Sequence, residues 1–311
     1  MWHRVPLCFE LLSPVHIGFL PNVSGTPVAP SRFYVPGKNL WGAVTESLTP
    51  RLFDEARPAD FGVVGDCLKR GVRFSYFYLS DGAKVYSPSF RYGDLTWSNL
   101  SDSEFRTMFA GSRLSTRLGT DGSAEDSSLH EIEYIRHRIR SPETAVGPAY
   151  LCGVLWLEDS CEIAGRSLLV SGGDLLLHPR DPHEPEVDLL EGLVVGGERN
   201  YGFGRLKTTP TPDSTHRTLE EWWPADPETE WPIDRPLLSH MGYDANIAFR
   251  GDLEIITSRE YPTHQQQSYA APGRTIVNAG YYFAPGTWLP EGQHRASVDQ
   301  FGRLSLVTRK I

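Results

Sequence analysis

The sequence predicts an α+β fold, and three features carry that reading. Apolar residues alternate with period two at Val5, Leu7, Phe9 and Leu11, and again at Val72, Phe74, Tyr76 and Tyr78, the pattern of half-buried strands. Leu40, Val44 and Leu48 recur every four residues, as on one face of a helix. Proline, glycine, serine and aspartate cluster between these runs, where turns belong.

Taken in order, the first strand stops at Ser13-Pro14. "YVPGKNLWGAVTESLTP" then places a turn at Pro36-Gly37, a short amphipathic helix with Asn39 as its N-cap, and a stop at Pro50. "VRFSYFYL" is a second strand. Residues 80–147 are polar and rich in Ser, Gly and Asp, and predict a long hairpin-like insertion. "YLCGVLWLE" is a strongly apolar third strand, and Val187, Leu190 and Val194, with Leu189 and Leu193 beside them, suit a second helix. "GGERNYGFGRL", residues 196–206, caps that helix and leads through "GRLKTT" into a fourth strand. The order is βαββαβ, a ferredoxin-like or RRM-like domain over residues 1–208 with the insertion at 80–147. An acidic connector rich in proline and tryptophan follows at 209–236, and residues 237–311 predict a smaller, mostly β region or a degenerate second copy of the first fold.

Composition bounds the function. The 311 residues are 40% apolar and 22% charged, enough for a large core, and no apolar run is long enough to span a membrane. The N-terminus alternates where a signal peptide would be continuously apolar, so a soluble cytoplasmic protein without a membrane partner is expected. Cys8, Cys67, Cys152 and Cys161 lie far apart with no C-x-x-C pair, which predicts reduced, mostly buried thiols and neither a zinc site nor a disulfide framework. The ten histidines show no tight ligand spacing, so no metal and no cofactor is expected. The net charge of −9 argues against a sequence-independent polyanion binder, yet residues 181–230 hold 12 acidic and 4 basic residues and account for nearly all of it. Residues 1–51 carry a surplus of two positive charges, from Arg4, Arg32, Lys38 and Arg51 against Glu10 and Glu46.

The glycine segment is not a P-loop, because Gly204 is followed by Arg205-Leu206 and not by Lys-Ser or Lys-Thr. It is not a dinucleotide fingerprint either, since it trails a predicted helix where that motif opens one. A helix end accounts for Gly196 and Gly197. Gly202 and Gly204, around Phe203 and beside Arg199, Arg205 and Lys207, would let a polyanion backbone come close to amides and guanidinium groups. His16, at a strand end, fits a structural hydrogen bond or a general base. In the insertion, Arg113, Arg117, Arg136, Arg138 and Arg140 are balanced by Asp121, Glu125, Asp126, Glu131 and Glu133, which suits equally a solvated hairpin with cross-strand ion pairs and an RNA-gripping arm. Trp222 and Trp223, in an acidic setting, fit an inter-domain joint better than base stacking.

Together "LLSPVHIG", "YVPGKNLWGAV" and "GGERNYGFGRL" resemble, in order and in register, the motifs of the RAMP superfamily (repeat-associated mysterious proteins), the RNA-binding subunits of CRISPR effector complexes. The likeness covers about residues 5–210, and "TRLGTDGSAEDSSLHEIEYI" resembles the hairpin thumb that many such subunits press on the guide-target duplex. It implies that Gly196, Gly197, Arg199, Gly202, Gly204 and Arg205 lie at the guide RNA backbone. Gly37, Lys38, Asn39 and Gly42 would sit at a helix start that favours phosphate, His16 and Gly18 beside them, and Arg113 and Arg117 near target RNA. Target-cleaving relatives carry a catalytic aspartate between the first two motifs. Here residues 19–34, "FLPNVSGTPVAPSRFY", contain no acid, so a non-enzymatic subunit is expected. The resemblance thus implies a capping subunit of a type III complex, holding the 5-prime tag of the guide (CRISPR) RNA beside other effector subunits. The alternatives are a backbone subunit of the same complex and a guide-processing endoribonuclease using His16.

Overall fold

The predicted strands assemble into one antiparallel sheet. In the computed structural model, which describes residues 1–19, 28–116, 120, 123, 129–140, 146–171, 174–179, 181, 183–259, 276–290 and 294–307, Trp2–Leu11 lies between Leu206–Thr209 and Tyr150–Glu158. Phe77–Ser80 and then Tyr34–Val35 extend the sheet beyond Tyr150–Glu158. In terms of the predicted strands the order is fourth, first, third, second. Residues 151–157 are buried without a break, because this central strand is covered on both faces. The run 72–80 is two strands, Val72–Phe74 and Phe77–Ser80, both paired with Tyr150–Glu158. Between them the Ser75 hydroxyl accepts the Val154 N–H at 2.8 Å and the Ser75 N–H donates to the Val154 carbonyl at 2.8 Å.

The first helix, α1 (Gly37–Leu52), buries Leu40, Ala43, Val44 and Leu48, as the spacing predicts. Its start and end differ from expectation. Pro36 occupies the N-cap and the Asn39 N–H donates back to its carbonyl at 2.9 Å, so Asn39 sits inside the first turn and caps nothing. Pro50 lies within the helix, which forgoes one hydrogen bond there and closes two residues later. A second helix, α2 (Pro58–Gly71), follows directly, with Pro58 in its first turn and the Asp60 carboxylate accepting the Arg57 N–H at 2.8 Å. It packs on α1 through Val64 and Leu68.

No helix forms over residues 187–194. Val187–Asp188 instead pairs with Asp174–His178, and the Leu189 N–H donates to the Leu175 carbonyl. The Asp188 carboxylate accepts the Leu190 N–H at 2.9 Å, and the Leu193 carbonyl accepts the Leu206 N–H. The Asp188 and Glu191 carbonyls accept Arg51 and Ser47 of α1, so these backbone groups are bonded outside a helix, and the ferredoxin-like pattern lacks its second helix at the expected place. The expectation that Gly196 and Gly197 end such a helix falls with it.

Residues 80–147 are likewise not a single hairpin. A three-stranded meander (Pro88–Arg91, Asp94–Trp97, Leu100–Ser101) leads into α3 (Asp102–Phe109), whose Ser101–Glu104 capping box fixes its start. A hairpin of Ala110–Ser115 and His130–Ile135 follows, joined in parallel by Val28–Ala29. The predicted connector contains α4 (Asp213–Trp222), which lies against Trp2–Leu11 and Tyr150–Glu158. Trp223 packs edge-on to Trp156 and Trp222 edge-on to Tyr78, so both tryptophans pack against residues of the first sheet.

The last sheet orders Trp231–Pro232, Arg295–Val298, Leu304–Leu306, Met241–Gly242, Ile276–Phe283 and Leu253–Arg259. Its buried side chains Met241, Phe283, Ala296 and Val298 join the core that the main sheet builds. Two charge and thiol expectations change. Cys8 and Cys152 face each other across adjacent central strands with Cα atoms 4.3 Å apart and are joined as a disulfide, leaving Cys67 and Cys161 as the free thiols. Much of the acidic stretch answers the chain's own cations: Glu184 meets Arg166, Glu220 meets Arg4, Glu228 meets Arg73 and Glu230 meets Arg295. No helix among the described residues is long and apolar enough to cross a membrane.

Candidate nucleic-acid interface

Three stretches that are far apart in sequence meet where Trp2–Leu11 ends. The Gly204 N–H donates to the Pro14 carbonyl at 2.7 Å, the Gly197 N–H to the His16 carbonyl at 2.9 Å, and the Arg205 N–H to the Ser13 hydroxyl at 3.0 Å. Arg199 forms an ion pair with Glu46 on α1, and Gly18 shares a cleft with Pro36, Lys38 and Asn39 of the third stretch. Val15 and Ile135 exchange backbone hydrogen bonds, which ties the same corner to the insertion hairpin.

The glycine segment is a folded-back loop, closed by an antiparallel bridge between Val194 and Arg205 and turned by a single 3-10 turn at Arg199–Tyr201. Gly196 and Gly204 have φ of 84° and 90°, and a Cβ on either would collide with backbone, the His16 carbonyl in one case and the Val195 carbonyl in the other. These two glycines serve the loop's approach to its own chain. Gly202, with φ 79°, sits at the turn with nothing within 4 Å of where its Cβ would be.

The structure divides the predicted side chains. Arg199 closes the loop, bonding Glu46 and the Gly196 carbonyl. Arg205 and Lys207 are exposed, and among the described residues neither side chain has a partner. The Arg113 guanidinium lies 5.4 Å from the centre of the half-exposed Tyr201 ring, and Tyr134 packs edge-on to Phe203, so the insertion hairpin docks on the loop. Glu133 does not pair across its hairpin: it binds Arg106 of α3 at 2.8 Å and accepts the Ser31 N–H at 3.0 Å. Arg117 lies outside the described residues. His16 is buried, with Nδ1 2.7 Å from the Glu133 carbonyl, the structural hydrogen bond that a strand-end histidine makes.

The start of α1 faces a cleft of ≈ 200 Å³ whose lining includes Gly18, Arg32, Lys38, Asn39, Tyr76 and Arg303. Pro36 offers this helix no side-chain cap, and no acid stands in its first turn. Gly37 touches the Phe74 backbone so closely that a Cβ there would strike the carbonyl, and its small size therefore serves packing. The Lys38 ammonium stands 5.0 Å from the centre of the Phe301 ring.

Beneath the cleft is a buried polar network that residue patterns alone did not reveal. Arg32 donates to Glu254 from Nη2 at 2.7 Å and to the Gly18 carbonyl from Nη1 at 3.1 Å. His240, fully buried, donates from Nε2 to Glu254 at 3.1 Å while its Nδ1 accepts the Tyr76 hydroxyl at 2.7 Å. Tyr34 also donates to Glu254, at 3.3 Å. Burial would raise the Glu254 carboxyl, but the hydrogen bond from His240 and the charge of Arg32 outweigh it and bring it down to about 2. Burial lowers His240, keeping the imidazole neutral, and raises Tyr34 and Tyr76. Among the described residues no group of three or more metal-ligating side chains is found.

Fold and site together define an α+β protein in which a strand end is hydrogen-bonded to a glycine-built loop and shares a cleft with a helix start. No protein-family model matches the chain, and no curated protein does. Among solved structures it is similar to a chain of the cryo-EM structure of the type III-B Cmr-beta bound to cognate target RNA, at 9% identity over 97% of this chain and 99% of that one, with a TM-score of 0.48. A chain of Cmr-beta bound to cognate target RNA and AMPPnP, state 1, gives 10% identity, 91% and 85% coverage and a TM-score of 0.48. A chain of the apo state gives 10%, 68% and 98%, with a TM-score of 0.36.

Proposed function

We propose that the chain is an RNA-binding structural subunit of a type III CRISPR effector complex, holding the guide RNA backbone at its 5-prime tag end and contacting neighbouring subunits. The observation that carries this reading is that residues 13–18 meet two other motif stretches, the loop 196–206 through direct hydrogen bonds and the start of α1 at 36–39 through a shared cleft, while Arg199 of the loop pairs with Glu46 further along α1. This surface offers what a polyanion needs: exposed cations at Arg205 and Lys207 with no side-chain partner among the described residues, and the Arg113–Tyr201 pair as a flat contact for a base or ribose. In this reading base pairing supplies sequence and the protein supplies backbone contacts, so the chain performs no chemistry. The lack of any acid in residues 19–34 and the commitment of His16 Nδ1 to a backbone carbonyl support a non-catalytic role.

The test is to purify the full chain with its complex from the natural host and analyse the bound nucleic acid. Guide RNA is expected, and Arg205→Ala with Lys207→Ala is expected to loosen it. A complex that assembles free of RNA, or a double variant that retains guide normally at raised salt, would sink the proposal.

A further inference from the structure

Between α4 and the last sheet, the acidic connector forms a surface that the RNA-binding reading leaves unused. Residues 220–234 carry six acids and no lysine, arginine or histidine. Arg4, Arg73, Arg295 and Arg235, all outside that stretch, answer Glu220, Glu228, Glu230 and Asp234. The Glu221 and Asp226 carboxylates meet no cation among the described residues. Glu228, Glu230 and Asp234 remain 60%, 45% and 63% exposed in their pairs, so the negative charge faces solvent.

Inside this rim lies an apolar groove lined by Trp222, Trp223, Trp231, Ile233, Leu238 and Leu304. Acids flank the lining residues directly in the chain: Glu221 precedes Trp222, Glu230 precedes Trp231 and Asp234 follows Ile233. Trp222 and Trp231 are half-buried, so each keeps part of its surface open. Arg235 also lines the groove, and donates to Asp234 at 3.2 Å and to the Glu221 carbonyl at 3.0 Å. The connector is tied to both sheets, since Trp156 Nε1 donates to the Pro224 carbonyl at 2.9 Å and the Val298 N–H to the Pro227 carbonyl at 2.8 Å. The groove is therefore preformed. One group in its lining lacks a partner: Trp223 is 1% exposed, and its indole N–H finds no acceptor among the described residues. A buried donor left unpaired is costly, and an incoming carbonyl would relieve it.

We propose that this groove docks a basic segment of a neighbouring protein subunit. One aliphatic side chain enters between the tryptophans, flanking lysines or arginines meet Glu221, Glu230 and Asp234, and a backbone carbonyl accepts the Trp223 N–H. The proposal rests on the reading above that the chain works among other subunits, and names the chemistry of one such contact. The volume of ≈ 20 Å³ admits roughly one methyl-sized group and no nucleobase, and the acids repel phosphate. Trp231–Pro232 is the terminal strand of its sheet, but Pro232 has no N–H to offer, so the contact is made by side chains and not by strand addition. Tryptophan anchors at an apolar centre within a charged rim are the makeup of a protein-binding hot spot.

Hydroxyl-radical footprinting, read by mass spectrometry on the complex purified from the natural host and on the isolated full chain, tests it. Slower oxidation of Trp222 and Trp231 in the complex is expected, unchanged by ribonuclease. Glu221→Lys with Glu230→Lys should weaken retention of the neighbouring subunit roughly ten-fold and lessen its salt dependence, with guide RNA kept on the chain. Equal oxidation in the two states, with guide RNA present, overturns the proposal and leaves the RNA-binding reading intact. Protection that ribonuclease removes while the subunits stay bound shows nucleic acid over the groove, and overturns it too. A folded double variant that keeps its neighbour normally does the same. Absence of both co-purifying subunits and RNA overturns this proposal and the RNA-binding reading together. The wild-type comparison is independent of whether any variant folds.

Discussion

Replacing Gly196 by alanine tests how the loop is held. At φ 84° an L-residue costs about 1–2 kcal/mol in the left-handed region. The new Cβ would also strike the His16 carbonyl oxygen and come within 3.0 Å of Ile17 Cδ1. Relief requires the loop to move off the strand end, which breaks the Gly197-to-His16 and Gly204-to-Pro14 hydrogen bonds, at 2.9 and 2.7 Å. Each contributes about 1 kcal/mol, so the total loss is roughly 3–4 kcal/mol. Gly202→Ala is the matched control: its φ of 79° carries the same conformational cost, but open space surrounds the new methyl, so about 1–2 kcal/mol is expected. Urea unfolding followed by tryptophan fluorescence reads both, with m held equal to wild type. Equal midpoints for the two variants would refute the reasoning, because the close approach to His16 would then contribute nothing.

Removing Arg205 and Lys207 together should lower the salt slope of RNA binding by about 1.4, two single-strand phosphate contacts at about 0.7 each, measured by fluorescence anisotropy against salt; an unchanged slope would show that neither meets phosphate. Stability should fall with acidity. His240 has a folded value below its ordinary 6.5, so the unfolded chain takes up its proton first and loss begins as pH drops below 6.5. Glu254, at about 2 against 4.5, contributes stability that is complete above 4.5 and lost as pH falls from there toward 2. Glu254→Gln should flatten urea midpoints below pH 4.5, and a profile parallel to wild type would count against the network. Asn39→Ala should change stability by less than about 0.5 kcal/mol, whereas Ser101→Ala at the α3 capping box should cost about 1 kcal/mol; chemical denaturation decides both.

Period-two alternation made Trp2–Leu11 legible, and a continuous apolar run made Tyr150–Glu158 so, because both are local properties of a strand. The same local logic misled at residues 187–195, where Val187, Leu189, Leu190, Leu193 and Val195 are buried by an irregular extended segment covered on both sides, which imitates helical spacing. Helix α2 stayed hidden because Gly62 and Gly65 interrupt a stretch that buries only Val64 and Leu68 among its large apolar side chains. The glycine motif and His16 could be marked as belonging to one site, but the Arg199–Glu46 pair spans 153 positions and has no local signature. Arg32 and Glu254, 222 positions apart, and Tyr76 and His240, 164 apart, have no local signature at all.

That last network has a consequence for how the chain can be divided. Tyr34, Tyr76 and Arg32 come from the first sheet and its approach, His240 and Glu254 from the last, and three hydrogen-bonded pairs, Arg32–Glu254, Tyr34–Glu254 and Tyr76–His240, join the two. A cut at the acidic connector would strand a guanidinium and two phenols in an apolar interior on one side, and a carboxylate and an imidazole on the other. The motif-bearing part is thus not a portable module. The cleft beside the motif stretches is thus held in shape by residues that the motifs never mention.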